Sequence, residues 1–436
     1  MRLYNAVLCI TIAIGAVAVA PLRAAQPQGP PAITAKAAIV VDAATGRELW
    51  SHRADRRMYP ASLTKMMTGL LTVEAGDLDQ TVLISRAAAR VPETGLYLEA
   101  GERLKVRELL QGALIWSAND ACVALARAVA GSLDGFVELM NTRARELGAV
   151  GTRFCNPHGL HDDAHRSTAR DLAKIAVEAM RHPEFRHIVA SKQFSTSRPE
   201  YVEPQTPEEK AQLEPGATKL RRYAMRTLRN RNRLLRWELC DGIKTGYTRQ
   251  AGRCLVASAS SDGWQAIAVV LDAKDSWQEA RDLLEWAFAG YEMRRLVREG
   301  RGSWQVWVRR GLQPSVGALA AQDVDMLVST NATVTLKPRP LVRDAPVARG
   351  DGVGMLDVIV DGSKCTEVPL VASQDVGLSV WGHLARLSVP GELQELLLCL
   401  AAGVLMLGAC TKTARSCRSC LAARRRATHP RGARHD

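Results

Sequence analysis

The sequence predicts an α/β chain of the α+β kind: an antiparallel sheet flanked by helices, then a small all-β domain and a C-terminal membrane anchor. Three observations predict it. Short apolar runs bounded by turn residues stand at both ends of the first 290 positions, at 37–42 and at 253–271. Between them, apolar residues recur at helical spacing. Beyond Glu299 the texture changes to short strand-like segments separated by Gly, Asp and Pro.

The run at 37–42 is followed by a Thr45-Gly46 turn and a second extended stretch through Leu49 and Trp50, which reads as a hairpin. Met66, Met67, Leu70 and Leu71 place a helix after Ser62. Segments 106–116 and 120–129 read as two helices broken at Ser117-Ala118-Asn119, where polar side chains compete for backbone hydrogen bonds. From Ser195 to about Arg222 the chain is rich in Pro, Glu and Arg and has neither apolar period, so a surface loop or insertion is expected, centred on 199–218. Strands at 253–260 and 264–271 flank a Ser261-Asp262-Gly263 turn. A helix at 278–289 turns Leu283, Leu284, Ala287 and Phe288 inward. Further strands are expected at 304–308, 333–336, 356–360 and 368–371.

At 436 residues the chain exceeds one ordinary core. The expected division is a signal peptide at 1–25, a main domain at 31–292, a β-rich domain at 299–389, an anchoring helix at 393–410 and a basic tail at 411–436. The leader has Arg2, an apolar run at 6–20 and small residues at Ala18, Ala20, Ala24 and Ala25; an uncleaved anchor is the alternative. Residues 396–410 carry no charge and are followed by Lys412, Arg415 and Arg418, the pattern of a stop-transfer segment. Fifteen residues are short for a bilayer of about 30 Å, so a helix lying on the membrane or in a core stays open.

The tail also carries much of the net charge of +13, with eight Lys or Arg against one acid after Cys410. No basic recognition motif lies within a folded domain, so nucleic acid is not an expected partner. Ten widely scattered cysteines form no disulfide framework, and a lone Cys417-x-x-Cys420 lacks the second pair a zinc site needs. Neither a metal nor a cofactor is expected.

Chemistry concentrates in three short motifs. Ser62-Leu63-Thr64-Lys65 places an amine one helical turn from a hydroxyl. A serine needs a base to become a nucleophile, and a lysine serves only when neutral. A second cation, Lys244, is expected to lower the Lys65 pKa by about two units through repulsion. Ser117-Ala118-Asn119 supplies a hydroxyl to relay a proton and an amide to hold substrate or the Lys65 amine. In Lys244-Thr245-Gly246, the first two residues face a carboxylate, and the glycine leaves room for another backbone to approach. Each motif alone has a bland explanation, such as a helix cap or a basic turn. Ser329-Thr330-Asn331 repeats the Ser-x-Asn pattern but follows Lys244.

With these residues in order, the chain resembles the D-alanyl-D-alanine carboxypeptidases, the low-molecular-mass penicillin-binding proteins of serine peptidase family S11. The likeness runs from about 33 to 290. It includes Tyr59-Pro60-Ala61, Asn156-Pro157-His158-Gly159-Leu160, Ser167-Thr168-Ala169-Arg170-Asp171-Leu172, Asn230-Arg231-Asn232-Arg233-Leu234-Leu235 and Asp241-Gly242-Ile243. The resemblance implies a β-lactamase/transpeptidase-like fold and removal of the terminal D-alanine from peptidoglycan stem pentapeptides through an acyl-enzyme on Ser62. It makes Ser62, Lys65, Ser117 and Asn119 catalytic, Lys244, Thr245, Gly246 and Tyr247 substrate-binding, and the backbone N–H groups of Ser62 and Tyr247 an oxyanion hole. β-Lactams are the implied covalent inhibitors, and the outer face of the bacterial cell membrane the implied location. Two alternatives stand beside it: a class A β-lactamase, whose added deacylating carboxylate is not identifiable here, and a non-catalytic module that docks on cell wall.

Overall fold

A computed structural model describes residues 29–213, 216–385 and 399–400. The leader at 1–25, the tail at 411–436 and nearly all of the expected anchor at 393–410 lie outside the described residues. Among the described residues no helix is long and apolar enough to cross a membrane. The chain divides into two compact units at 291/292.

The first unit is built on a five-stranded antiparallel sheet in the order Glu48–His52, Ala37–Asp42, Trp264–Ala273, Gly252–Ser261, Cys240–Thr248. The sequence-terminal hairpins thus meet at its centre, where Ala37–Asp42 pairs with Trp264–Ala273. Both central strands are buried along nearly their whole length, which is why they read as unbroken apolar runs rather than as alternation. Helix Ser276–Gly290 packs on one face through Leu283, Leu284 and Ala287. Helix Ala169–Arg181 packs on the other through an apolar stripe that includes Leu172, Ile175 and Ala176, started by Thr168, whose hydroxyl accepts from the Asp171 N–H at 3.0 Å. Beyond it, helix Lys65–Ala75 is enclosed by its neighbours: Met66, Met67, Leu70 and Leu71 are all buried. Burying each such side chain contributes about 1.5–3 kcal/mol.

The helix Val106–Gln111 widens into a π turn over Gly112–Trp116, and Ser117 then takes a left-handed conformation (φ 72°) before helix Asn119–Ala130 begins. The break expected at Ser117-Ala118-Asn119 is therefore present.

One expectation is overturned. The supposed loop at 195–222 is a two-stranded antiparallel ribbon, Gln193–Val202 paired with Leu220–Arg229 from Gln193↔Arg229 to Val202↔Leu220, with a short capped helix Pro207–Ala211 beyond it. Burial alternates along its first strand at Phe194, Thr196 and Arg198. Two of those three inward residues are polar, so no apolar alternation marked the strand.

The second unit contains a six-stranded sheet around Val306, Val316, Leu356, Val358, Val368 and Leu370, plus the strand pair Tyr291–Val297 with Val324–Ser329. That pair starts the β-rich region ahead of the expected residue 299. Short strands with one polar face mark the sequence weakly, and four of them (Tyr291–Val297, Ser315–Ala320, Val324–Ser329 and Arg343–Asp344) were not anticipated.

Candidate active site

Three segments converge on the turn that carries Ser62. Ala61–Thr64 forms a single 3₁₀ turn that runs directly into helix Lys65–Ala75. From behind, the Thr64 hydroxyl donates to the Ala61 carbonyl (2.8 Å), leaving its oxygen to accept from His165 Nε2 (2.8 Å). His165 Nδ1 in turn accepts from the Cys155 N–H at 3.1 Å, so the network assigns the proton to Nε2. Burial pushes the His165 pKa down to about 4, so the ring is held neutral. From below comes Gly159 at φ +85°, where a Cβ would lie 1.9 Å from the Ala61 oxygen. From the side comes the edge strand Cys240–Thr248: a Cβ on Gly246 would sit 3.1 Å from the Pro60 oxygen and 3.2 Å from Leu63 Cγ.

Lys65 is fully buried, and its Nζ has three partners: Ser62 Oγ at 3.0 Å, Asn119 Oδ1 at 2.8 Å and the His158 carbonyl at 2.7 Å. Two of these can only accept. As an ammonium, Lys65 satisfies all three. As a neutral amine it keeps two protons for the amide and carbonyl oxygens, and its lone pair is left facing the Ser62 hydroxyl. The pKa is lowered to about 8, first by burial, against which Glu93 and Asp120 act in the opposite direction.

Lys244, also buried, donates from Nζ to Ser117 Oγ and to the Thr245 carbonyl, both at 3.1 Å. Its pKa is lowered well below the ordinary value, by burial first and by the charge on Lys65 second. Repulsion by Lys244 was expected to set the Lys65 pKa; desolvation leads for both amines instead.

Asn119 is fixed through its amide Nδ2, which donates to the Pro92 carbonyl (3.1 Å), and its backbone N–H, which donates to Thr94 O (2.7 Å). The same loop is clamped by the buried Asp120 carboxylate, which accepts from the Leu96 and Leu98 N–H groups at 3.0 and 3.1 Å. Arg198, from the ribbon, donates to Leu96 O, Tyr97 O and Glu102. His165, Asp120, Arg198 and the His158 carbonyl were not singled out from the sequence as parts of the site. A backbone carbonyl leaves no mark on a sequence, although the Asn156–Leu160 segment supplying this one was noted.

Ser62, Ser117, Thr245, Gly246 and Tyr247 line one open cleft of about 900 Å³; Lys65, Asn119 and Lys244 reach it from underneath through the bonds above. All eight sequence-derived site residues therefore gather around one groove, and Cys240–Thr248, paired among the described residues on one side only, with Gly252–Ser261, forms its wall. An extended peptide can add to such a free edge by main-chain hydrogen bonds. The arrangement suits acyl transfer: a hydroxyl nucleophile, an amine base and a second hydroxyl tied to a second amine. The six cysteines among the described residues are unpaired. The described cluster Glu74, Glu178 and His182 is bridged by Arg143, which pairs with both carboxylates at 2.6 and 3.0 Å, and Arg181 pairs with Glu178 at 2.9 Å, so two guanidiniums balance the two carboxylates.

Residues 23–275 match the family described as D-alanyl-D-alanine carboxypeptidase, and residues 291–377 match the penicillin-binding protein 5 C-terminal domain. The D-alanyl-D-alanine carboxypeptidase DacF of Bacillus subtilis is 32% identical over 355 residues, covering 78% of this chain and 86% of that protein. DacA of Escherichia coli is 32% identical over 372 residues, covering 80% and 85%. Among solved structures, penicillin-binding protein 5 from Haemophilus influenzae superposes with a TM-score of 0.59 at 29% identity, over 80% of this chain and 99% of that one.

Proposed function

Because the chain belongs to the D-alanyl-D-alanine carboxypeptidase family and is a serine-type, penicillin-binding D-Ala-D-Ala carboxypeptidase of peptidoglycan maturation, we propose that Ser62 carries the acyl group and Lys65 is its base. Ser62 Oγ attacks the carbonyl of the penultimate D-alanine while its proton passes to neutral Lys65. The oxyanion is met by the backbone N–H groups of Ser62 and Tyr247; such donors are typically worth several kcal/mol. As the C–N bond breaks, the proton reaches the departing D-alanine amine through Ser117. Water then releases the acyl group by the reverse proton route. Lys244 and Thr245 hold the terminal carboxylate, whose charge restores the Lys244 proton that burial disfavours. Gly246 keeps the substrate's wall close to the nucleophile. β-Lactams acylate the same oxygen.

The observation that carries this reading is the 3.0 Å approach of Lys65 Nζ to Ser62 Oγ, with acceptor-only partners at its other two positions. The protein is exported by the segment at 1–25 and held at the extracytoplasmic face of the cell membrane by 393–410; composition supports both. Incubation with a pentapeptide ending in D-Ala-D-Ala should release D-alanine from the wild type and from neither Ser62→Ala nor Lys65→Ala. Equal release by all three would reject the assignment. A long-lived penicilloyl adduct is expected, and fast steady hydrolysis of penicillin would point to a β-lactamase instead.

A further inference from the structure

Five arginines line the cleft, Arg229, Arg231, Arg233, Arg236 and Arg253, against two carboxylates, Glu93 and Asp272. Asp272 is already paired with Lys36 at 2.5 Å. Among the described residues no ion pair joins any of the five to a carboxylate, so their charge is not cancelled locally. All five are exposed. With one of the groove's two carboxylates already taken by Lys36, five exposed guanidiniums in one groove leave an excess of positive charge there that favours an anion.

Their placement divides them. Arg231 stacks on Trp116 at 4.2 Å and donates to the Trp116 carbonyl at 3.1 Å, beside Ser117. Arg233 and Arg236 occupy positions i and i+3 of the 3₁₀ turn Arg233–Arg236, where side chains eclipse and project together. Arg233 lies over Trp277 at 5.3 Å. Arg253 lies directly opposite Tyr247 in the sheet, so the two share a face, and its Nη1 is anchored on the Lys274 carbonyl at 2.5 Å. Tyr247 is three residues beyond Lys244 and two beyond Thr245, about 10 and about 7 Å along an extended strand. The shelf made by Arg233, Arg236 and Arg253 around Trp277 is therefore separate from the position of the substrate's terminal carboxylate at Lys244 and Thr245.

We propose that this arginine shelf binds a side-chain carboxylate on the stem peptide upstream of D-Ala-D-Ala, so that the enzyme selects stem peptides whose side chain carries a carboxylate beside its amine over those carrying the amine alone. The inference rests on the carboxypeptidase reading above and adds to it which stem peptides are taken. A guanidinium fork matches a carboxylate bidentately, and two such side chains projecting together give the geometry that a single exposed pair lacks.

The test uses two pentapeptides identical except at the third residue: lysine in one, and in the other the same side chain bearing a carboxylate on its ε-carbon (diaminopimelate). The wild type should favour the carboxylate peptide by about tenfold in kcat/KM at low salt, and the ratio should shrink in 0.5 M NaCl. Arg233→Ala/Arg236→Ala should bring the ratio to about one, and Arg236→Glu should move it toward lysine, with melting temperatures reporting that each variant is folded. Equal rates on both peptides, or a ratio that survives the double substitution, would overturn the shelf and leave the carboxypeptidase standing. Release of D-alanine from neither peptide would overturn both.

Discussion

Titrating the acylation step reads the state of Lys65 directly. With its pKa lowered to about 8 from 10.5 by burial, about one-tenth of the amine is neutral at pH 7; at the ordinary value the neutral share would be about three parts in ten thousand. The second-order rate constant for acylation by a fluorescent penicillin should therefore climb about tenfold per pH unit below 8 and level off above it. Lys244→Met separates the two causes. Repulsion of about two pKa units would move the midpoint up toward 10 once Lys244 is gone. Since burial is the leading cause, the midpoint should move by less than about one unit, although the rate itself falls because carboxylate binding is lost. Stopped-flow measurement between pH 6 and 10 gives midpoint and amplitude separately. A wild-type midpoint near 10, or a two-unit shift in Lys244→Met, would refute the desolvation account.

Three further outcomes follow from the packing around Ser62. His158 and His165 have pKa values lowered by burial to about 3 and about 4 from 6.5; below pH 6.5 the unfolded chain takes up protons that the folded chain refuses. Stability should fall by up to about 2.7 kcal/mol per pH unit between 6.5 and 4, and calorimetric melting temperatures that stay flat over that range would contradict it. Gly159→Ala forces a Cβ against the Ala61 carbonyl at a left-handed backbone position, and should cost about 2 kcal/mol or more in a urea melt; wild-type stability would mean that the turn relaxes freely. Arg198→Met strands Glu102, since the two side chains are only 3% and 4% exposed. It should cost about 3–5 kcal/mol, with most of the loss recovered in Arg198→Met/Glu102→Leu, and a double variant no better than the single one would refute the pairing argument.

The sequence made the central strands and the nucleophile helix legible because burial there is apolar and periodic: 37–42 and 264–271 are continuous runs, and Met66, Met67, Leu70 and Leu71 sit at helical spacing. The eight site residues were legible because their chemistry needs particular side chains at fixed offsets. The ribbon escaped because its inward positions include Thr196 and Arg198, so that its burial alternates while its hydropathy does not. Pro199 also argued against a strand; it is tolerated opposite Tyr223 because both strands of a two-stranded ribbon are edge strands. The supports of the site escaped for a different reason. His165 acts through Thr64 on a carbonyl, and His158 acts through its own main-chain oxygen. Neither relation can be inferred until distant segments are brought together.

Among the described residues the strand Cys240–Thr248 has a sheet neighbour on one side alone. A margin of that kind is indifferent to whose backbone zips onto it, and a second copy of the same polypeptide could offer one as readily as a stem peptide. Two such margins approaching face to face would bring their arginines together, and like charges resist that meeting. The groove thus favours visitors of opposite sign over a second copy of itself.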